Sequence, residues 1–392
     1  MIEQAVILAA GEGERLRPFT THKPKGMIYV ANKPVLRHVV EALALGGIRR
    51  MVMVVGYGKE HILDFFGSGE KFGVEIEYVT QSQQLGTAHA IRRTEDKVGQ
   101  EFLVVSGDNV IDFHTIADFL RTPPDAILLR EGEETSLGGI AAVRGNQLIS
   151  LVEKPSQPQG NLMSTGIYAF THSIFDYVQY ELDLPGVIQR MLDDGHKINA
   201  VRTIGTWLDI VYPCDILQAN YAVLKTTYPN HGGTIEKGVT LKDPVSIGQG
   251  TLIGANSYIV GPVSIGEGCE IGPNVCIMPG TSIGDRVRIS PFTQIENSVI
   301  GEDVTIGPGS CLADCIVDRG SRLGAHFVAR SGDTDVKVGA TYHQAIIGAM
   351  IGESCEIGDQ VVIAPGVLVG NGVKVKGLKL LEENIPDNGL VV

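Results

Sequence analysis

A glycine-rich loop near the start of the chain is followed by basic residues. Gly11-Glu12-Gly13 ends an apolar run, Ala5 to Ala10, that is long enough for one buried strand. Glycines at such a point let the backbone turn sharply and bring N–H groups close to a ligand. Arg15, Arg17 and Lys25 follow, and they indicate an anionic ligand, most simply a phosphate chain. An ordinary strand-to-helix turn with surface cations is the alternative.

Polar residues that could do chemistry also follow the later apolar runs. The amide of Gln81 offers both a donor and an acceptor, as the edge of a nucleobase requires. Asp108 follows a glycine after an apolar run, which suits a carboxylate that binds a metal-bound phosphate. Glu153 and Lys154 supply an acceptor for a sugar hydroxyl and a cation for its phosphate. Each has a simpler alternative, namely a polar turn, a turn-forming Asp or an exposed ion pair.

These residues need a sheet to bring them together. Continuous apolar runs predict buried strands at Met51–Val55 and Phe102–Val105, and a further strand is predicted at Val74–Val79. Helical periodicity predicts a helix over Val35–Leu45, which stops at two glycines. Strands that alternate with helices indicate an α/β fold with a mostly parallel sheet. Ligands of such sheets bind beyond the carboxyl ends of the strands, where the first loop lies.

The first half of the chain resembles the sugar-1-phosphate nucleotidylyltransferases. Leu8 to Met27 matches the family signature L-A-A-G-x-G-x-R-(L/M)-x-P-x-T followed by P-K-x-M. Gln81 to Ala90 matches the pattern Q-x-x-Q-L-G-T-(A/G)-H-A, and Asp209 lies in the G-x-W-x-D motif. Glu14 departs from the signature, because the family usually has Thr or Ser there. The resemblance implies a Rossmann-like domain that transfers UMP or dTMP from UTP or dTTP to a sugar 1-phosphate and releases pyrophosphate.

The resemblance also implies a role for each matching residue. Arg15 would hold the β- and γ-phosphates, Lys25 the α-phosphate, and Asp108 and Asp209 would bind Mg²⁺. The nucleotide would contact a further set: Leu8, Ala10, Gly11, Gly13, Gln81, Gly86 and Thr87. The sugar phosphate would contact another: Gly139, Glu153, Lys154 and Ser164. Ser164 stands where the acetylglucosamine-using enzymes have Asn, so glucose 1-phosphate and N-acetylglucosamine 1-phosphate both stay open. Mannose-1-phosphate guanylyl transfer and a non-catalytic regulatory or assembly subunit are further alternatives.

A six-residue repeat organises the second half of the chain. Isoleucine or leucine recurs at every sixth residue from Ile235 to Ile295, resumes after a one-residue slip at Ile300, and returns at Ile351. This period is typical of a solenoid with three short strands per coil. It resembles the left-handed parallel β-helix of hexapeptide-repeat proteins, and the handedness comes from that resemblance. The same resemblance implies a homotrimer or a multiple of it.

In bifunctional relatives the β-helix is an acetyltransferase with a catalytic His and an Asn. Pro308 stands at the position of that His and Ser331 at the position of the Asn. Without a general base an amine cannot be deprotonated for attack on a thioester, so we predict that acetyl transfer is absent. Substitution of the missing base by His326 or His343 is the alternative.

Composition limits the remaining possibilities. The 392 residues suit a nucleotidyltransferase domain over 1–230, a β-helix over 231–376 and a C-terminal tail over 377–392. The net charge of −13 argues against a nucleic-acid or acidic-membrane partner. None of the six cysteines forms a C-x-x-C pair, which favours a reducing, cytoplasmic setting, and no signal peptide is indicated.

Overall fold

The computed structural model of the chain describes residues 2–132, 139–153, 160–338 and 341–392. These residues divide into two units. The first contains the chain up to Glu12, then Lys23–Met27 and Val35–Asp209. The second contains Gly13–His22, Ile28–Pro34 and Ile210–Val392. The arginine-bearing part of the N-terminal signature therefore belongs to the same unit as the C-terminal half.

A nine-stranded sheet is the centre of the first unit. Its strands in chain order are β1 Gln4–Ala9, β2 Arg50–Val55, β3 Glu75–Thr80, β4 Glu101–Ser106, β5 Ala126–Glu131, β6 Gly139–Arg144, β7 Gln147–Glu153, β8 Leu162–Thr171 and β9 Asn199–Thr203. Their order across the sheet is β3-β2-β1-β4-β8-β5-β9-β7-β6. β1 to β4 lie side by side in parallel, which confirms the predicted βαβ arrangement. Their carboxyl ends form one edge of the sheet, called here the carboxyl edge.

The other side of the sheet is largely antiparallel. β8 runs antiparallel to β4, with Ile167 opposite Val105, so the start of β8 lies at the carboxyl edge. β6 and β7 pair antiparallel with Gly139 opposite Glu153. Ile140 of β6 also pairs with β8. The first residues of β6 and β8 and the last residue of β7 therefore meet at this edge.

Among the residues that the structure describes, six α-helices accompany the strands. They are α1 Val35–Leu45, α2 Lys59–Phe66, α3 Thr87–Arg92, α4 Phe113–Phe119, α5 Leu184–Asp193 and, in the second unit, α6 Pro213–Leu224. α1 has the predicted bounds, because its apolar residues recur every three or four positions and are buried. α6 ends at Leu224. The hydroxyls of Thr226 and Thr227 donate to the carbonyl of Val223, which offers the backbone an alternative to another helical turn.

The C-terminal half forms a parallel β-helix with three faces. The first face contains Asn230–His231, Val245–Ile247, Val263–Ile265, Thr281–Ile283, Val299–Ile300, Ile316–Val317, Met350–Ile351 and Leu368–Val369. The second contains Thr234–Ile235, Leu252–Ile253, Glu270–Ile271, Arg288–Ile289, Thr305–Ile306, Arg322–Leu323, Glu356–Ile357, Lys374–Val375 and Leu390–Val391. The third contains Thr240–Lys242, Tyr258–Val260, Cys276–Ile277, Gln294–Glu296, Cys311–Ala313, Val328–Ala329, Val362–Ile363 and Leu380–Leu381.

The repeated isoleucines stack as the sequence predicts. Ile265 pairs with Ile283 in the next coil, and both side chains are buried in one continuous core. The slip in the repeat is a coil shortened by one residue, because Ile283 pairs with Ile300. Before the repeat returns at Ile351, the coils are interrupted by an antiparallel hairpin of Gly332–Val338 and Thr341–Ile347. In the part of the chain that the structure describes, no helix is long and apolar enough to cross a membrane.

Candidate active site

A lysine and two aspartates meet in the first unit. The Nζ of Lys25 lies 2.6 Å from Oδ2 of Asp108 and 3.7 Å from Oδ1 of Asp209. The lysine side chain is only 17% exposed, whereas the two carboxylates keep 30% and 39% of their surface. The three residues, chosen from separate motifs of the sequence, therefore form one partly open cluster in which two carboxylates share a single ammonium group.

A short antiparallel ladder explains why the two aspartates converge. Asn109–Ile111 pairs with Trp207–Asp209, and Asp209 lies opposite Asn109, the residue after Asp108. The buried indole of Trp207 donates to the carbonyl of Thr165 at 2.9 Å, which ties this ladder to β8. With its amide oriented to satisfy both ends, Asn109 donates to Oδ1 of Asp108 at 2.8 Å. Asn109 thus fixes one carboxylate while the ladder brings the second.

Glycines keep the backbone close around this cluster. A Cβ on Gly26 would lie 3.1 Å from the carbonyl oxygen of Gly107, so this glycine lets the lysine turn approach the strand end before Asp108. Gly11, at the end of β1, is different because a Cβ there would meet nothing within 4 Å. Neither crowding by the protein nor a positive φ explains this glycine. Open space therefore lies beside the backbone of Gly11.

The predicted nucleotide-binding residues after β3 form a tight turn at the carboxyl edge. The side chain of Gln81 is buried, and its Nε2 donates to the carbonyl of Gly86 at 3.1 Å. Gly86 has φ 126°, and a Cβ there would lie 2.3 Å from the carbonyl oxygen of Leu182. The hydroxyl of Thr87 accepts from the backbone N–H of Leu184 at 2.8 Å. Thr87 and Gly86 therefore have structural partners in the segment that begins α5.

The amide of Gln84 holds this turn against the first loop. Its Nε2 donates to the carbonyl of Ala10 at 2.7 Å. The carbonyl of Leu8, two residues earlier in the chain, accepts from the N–H of Gly107 at 2.9 Å. Leu8 and Ala10 thus contact the neighbouring segments through their backbones, at the end of the central strand.

Three of the predicted sugar-phosphate residues meet where β6, β7 and β8 come together. A Cβ on Gly139 would lie 3.3 Å from Oε2 of Glu153 and 3.6 Å from Cβ of Ser164. The hydroxyl of Ser164 is 2.9 Å from that of Tyr168, a buried residue on the same strand. The pKa of Tyr168 is raised to about 12, mainly because the residue is buried; the Ser164 hydrogen bond opposes this rise and the charge of Glu153 adds to it. Lys154 lies outside the described residues.

Arg15 belongs to the second unit together with Gly13. It lies in a short 3-10 helix, Glu14–Leu16, that begins after Gly13, whose φ of 73° is left-handed. The hydroxyl of Thr20 donates to the carbonyl of Gly13 at 2.8 Å and closes this part of the chain into a loop. The Cζ of Arg15 lies 6.0 Å from the centre of the Tyr212 ring.

Sequence reasoning missed Asn109, Tyr168 and the hydrogen-bonding role of Trp207. Asn109 directly follows Asp108, and Tyr168 follows Ser164 by four residues within β8. The positions of Asn109 and Tyr168 in the sequence match no site motif, because each residue acts by orienting a neighbouring side chain. Only the register of the paired strands reveals which neighbour that is.

Three sequence families match this chain. Residues 4–226 match the family described as nucleotidyl transferase. Residues 257–349 match the GMPPB C-terminal domain, and residues 244–261 match the hexapeptide repeat of succinyl-transferase. The first match covers the whole sheet described above, and the other two lie within the β-helix.

Individual proteins are similar over different lengths of the chain. A protein of Methanococcus maripaludis named bifunctional protein GlmU is 32% identical, and the match covers 99% of this chain and 96% of that protein. The UTP–glucose-1-phosphate uridylyltransferase AglF of Haloferax volcanii is 36% identical over 57% of this chain and 98% of its own length. A Bacillus anthracis structure assigned as a glucose-1-phosphate thymidylyltransferase has 26% identity and a TM-score of 0.53. It covers 58% of this chain and 97% of its own.

Proposed function

The chain belongs to the nucleotidyl transferase family, and we propose that it transfers UMP or dTMP from UTP or dTTP to a sugar 1-phosphate. It is a sugar-1-phosphate nucleotidyltransferase with a C-terminal hexapeptide-repeat domain. The finer assignment is that glucose 1-phosphate or N-acetylglucosamine 1-phosphate accepts the nucleotidyl group. The single observation that carries the site assignment is the ammonium of Lys25 shared by Asp108 and Asp209.

The reaction needs no protein nucleophile, because the attacking phosphate is already ionised. A phosphate oxygen of the sugar 1-phosphate forms a bond to the α-phosphorus, and the bond from that phosphorus to the β-phosphate bridging oxygen breaks. Pyrophosphate leaves with the bonding electrons. Catalysis then depends on positioning and on the neutralisation of developing charge. Lys25 serves the α-phosphate, and Arg15 serves the β- and γ-phosphates that leave.

The two aspartates suit a magnesium ion. Mg²⁺ prefers hard oxygen ligands and is usually held by one or two carboxylates together with substrate phosphates. Asp108 and Asp209 supply two carboxylates on partly exposed side chains, and Asn109 restrains the first. When bound, the ion would offset negative charge on the triphosphate. Lys25 would then turn from the carboxylates to the α-phosphate.

The remaining residues orient the two substrates. We assign the base to Gln81 at the carboxyl edge, whose amide nitrogen is held by the carbonyl of Gly86, and the nucleotide to the open space beside Gly11. Glu153 accepts from sugar hydroxyls, and Ser164 contacts the sugar with its orientation set by Tyr168.

A pyrophosphate-release screen tests this function. UTP, dTTP, GTP and ATP are each paired with glucose 1-phosphate, N-acetylglucosamine 1-phosphate and mannose 1-phosphate in the presence of Mg²⁺. We expect the highest kcat/KM for UTP or dTTP with one of the first two sugars. Pyrophosphate from GTP and mannose 1-phosphate alone would replace the substrate assignment. No pyrophosphate from any pair would contradict the proposed function.

Acetyl transfer in the β-helix is a second candidate function. The observation in its favour is the similarity to a protein named bifunctional over 99% of this chain. Against it, the ring of His343 stacks on Tyr212, and Pro308 occupies a turn where a general base is needed. His326 is exposed, at a turn with φ 55°. Thiol release from acetyl-CoA with glucosamine 1-phosphate would establish this activity, and its absence would leave the nucleotidyl transfer alone.

The β-helix also provides a surface for self-association, which we propose forms a homotrimer. The outward residues of the second face are mostly charged: Glu270, Arg288, Arg322, Glu356 and Lys374. The outward residues of the third face are mostly apolar: Tyr258, Cys276, Cys311, Val328, Val362 and Leu380. Burial of an apolar face against further copies is favourable. Light scattering should give three times the mass of one chain, and Val362→Glu should reduce it.

A further inference from the structure

The second unit holds the arginine-bearing part of the N-terminal signature by three separate contacts. This arginine segment, Gly13–His22, carries Arg15 on its first helical turn and is anchored by the buried side chains of Leu16 and Phe19. In each of the three contacts, the partner of the arginine segment is a residue after position 209. The arginine segment is therefore positioned by the C-terminal half of the chain, although it lies within the first 22 residues.

The first contact is made by Asn371, which is 5% exposed in a turn of the β-helix. Its Nδ2 donates to the carbonyl of Pro18 at 3.2 Å, and its Oδ1 accepts from the N–H of Glu353 at 2.9 Å. Both ends of one buried amide are thus used, one on the coil and one on the arginine segment. Removal of this side chain would leave the buried carbonyl of Pro18 and the partly buried N–H of Glu353 without this partner, which is costly.

The second contact is a charged cluster at the end of the arginine segment. Nδ1 of His22 bonds Oε1 of Glu353, and Nε of Arg319 lies 3.0 Å from the other oxygen of that carboxylate. Burial raises the pKa of Glu353, but the hydrogen bonds from His22 and Arg319 outweigh it and lower the pKa overall. The carboxylate therefore stays ionised and ties the segment to the coil that precedes that of Asn371.

The third contact reaches Arg15 itself. The guanidinium carbon lies 6.0 Å from the ring centre of Tyr212, which precedes α6. The backbone N–H of Tyr212 donates to Oδ2 of Asp215 at 2.7 Å, so this residue is fixed at the start of the helix. The ring of His343 packs on the ring of Tyr212, with ring centres 3.7 Å apart and planes tilted by 35°. His343 belongs to the hairpin that interrupts the coils.

We propose that His343, Tyr212 and Asn371 are positioning residues for Arg15, so that the β-helix and its hairpin set the affinity for the leaving phosphates. This inference rests on the proposed function for the identity of the reaction, but the contacts themselves do not. An arginine binds a polyphosphate tightly only when its guanidinium is already oriented. The hairpin supplies that orientation through Tyr212, and Asn371 holds the backbone of the loop behind it.

A residue that acts through Arg15 has a recognisable kinetic signature. The loss of His343 should raise the KM for the nucleoside triphosphate, and for pyrophosphate in the reverse reaction, by about threefold to tenfold. The KM for the sugar 1-phosphate should not change. A merely structural residue would alter all three or lower the amount of folded protein. His343→Phe keeps an aromatic ring over Tyr212 and should restore both raised constants.

The test is a double-mutant cycle in the full-length protein. His343→Ala and Asn371→Ala are measured in the wild-type background and with Arg15→Ala. Because the proposed effect passes through Arg15, neither substitution should raise the KM for the triphosphate further once Arg15 is absent. Tyr342→Ala, on the neighbouring exposed hairpin position, is the control for the hairpin. Asn384→Ala, whose Oδ1 accepts from the N–H of Leu368, is the control for a β-helix hydrogen bond.

Binding of inorganic tripolyphosphate, measured by calorimetry, separates this inference from the proposed function. If the wild-type protein transferred no nucleotide but bound tripolyphosphate in a manner dependent on Arg15 and His343, the function would fail and the positioning would stand. If His343→Ala and Asn371→Ala left this affinity unchanged while both proteins stayed folded, the positioning would be wrong. It would also be wrong if either substitution weakened binding equally in the Arg15→Ala background.

Discussion

Replacement of Lys25 by methionine separates a catalytic cation from a structural one. Methionine keeps most of the length of the side chain and removes the charge. The ammonium now bridges carboxylates that are 30% and 39% exposed, so the ion pairs are partly solvated. Their loss should cost the folded state about 1 kcal/mol or less. The variant should therefore remain folded at assay temperature.

Turnover should fall far more than stability. A charged donor aimed at the reacting phosphate contributes about 10²- to 10³-fold in kcat, or roughly 2.7–4 kcal/mol of transition-state stabilisation. Lys25 is 17% exposed, so its charge is less screened than it would be in bulk water when it contacts the reacting phosphate. We expect a loss within that range for Lys25→Met and a smaller loss for Lys25→Arg, which keeps the charge but not its compact geometry.

The assay is steady-state pyrophosphate release at saturating nucleotide and magnesium, beside thermal unfolding of the same samples. Lys97→Met is the matched control, because Lys97 also makes a 2.6 Å ion pair, with Glu77, on exposed side chains. It should keep wild-type turnover. If Lys25→Met were folded and its kcat stayed within about threefold of wild type, Lys25 would be only a counterion for the aspartates. The phosphate assignment would then be abandoned.

Three further predictions follow from the contacts described. Asn109→Ala should raise the Mg²⁺ concentration at half-maximal turnover by about 10- to 100-fold, because the carboxylate of Asp108 loses the hydrogen bond that restrains it. A magnesium titration of turnover measures this, and an unchanged midpoint refutes it. Ile283→Ala should lower the free energy of unfolding by about 2–5 kcal/mol, since the side chain is fully buried between two coils; denaturant unfolding measures this, and a loss below 1 kcal/mol refutes it. The pKa of Glu353 is lowered in the folded state, so its ionised form stabilises the fold at pH values above its ordinary pKa of 4.5, and this stabilisation is lost as the pH falls below that value. Glu353→Gln should therefore flatten the acid limb of the pH–stability curve, and an unaltered limb refutes this.

The periodic parts of the fold were predictable because one physical cause repeats. Each isoleucine of the six-residue repeat packs on its equivalent in the next coil, so the core of the β-helix is visible in the spacing alone. The buried strands β1, β2 and β4 were predictable for the same reason, as continuous apolar runs. The antiparallel side of the sheet was not, because the order of its strands depends on pairings between distant segments such as β8 and β4.

The candidate site was predictable in its residue types and not in its support. Lys25, Asp108 and Asp209 were identified from motifs, and the structure brings them together. That Asn109 would hold one carboxylate depends on the register of a three-residue ladder, which no local pattern specifies. The pairing of Arg15 with residues of the C-terminal half was equally hidden. A contact such as Asn371 with Pro18 spans most of the chain and leaves no trace in the local sequence.

Anomalous scattering from manganese would test the central assignment most directly. A crystal of the full-length protein is grown with Mn²⁺ and a UTP analogue that cannot be cleaved at the α-phosphate. We expect an anomalous peak within coordination distance of both Asp108 and Asp209, about 2.0–2.3 Å from their oxygens, and the ammonium of Lys25 turned toward the α-phosphate. A peak bound by other residues, with Lys25 still bridging the two aspartates and the triphosphate elsewhere, would contradict the assignment.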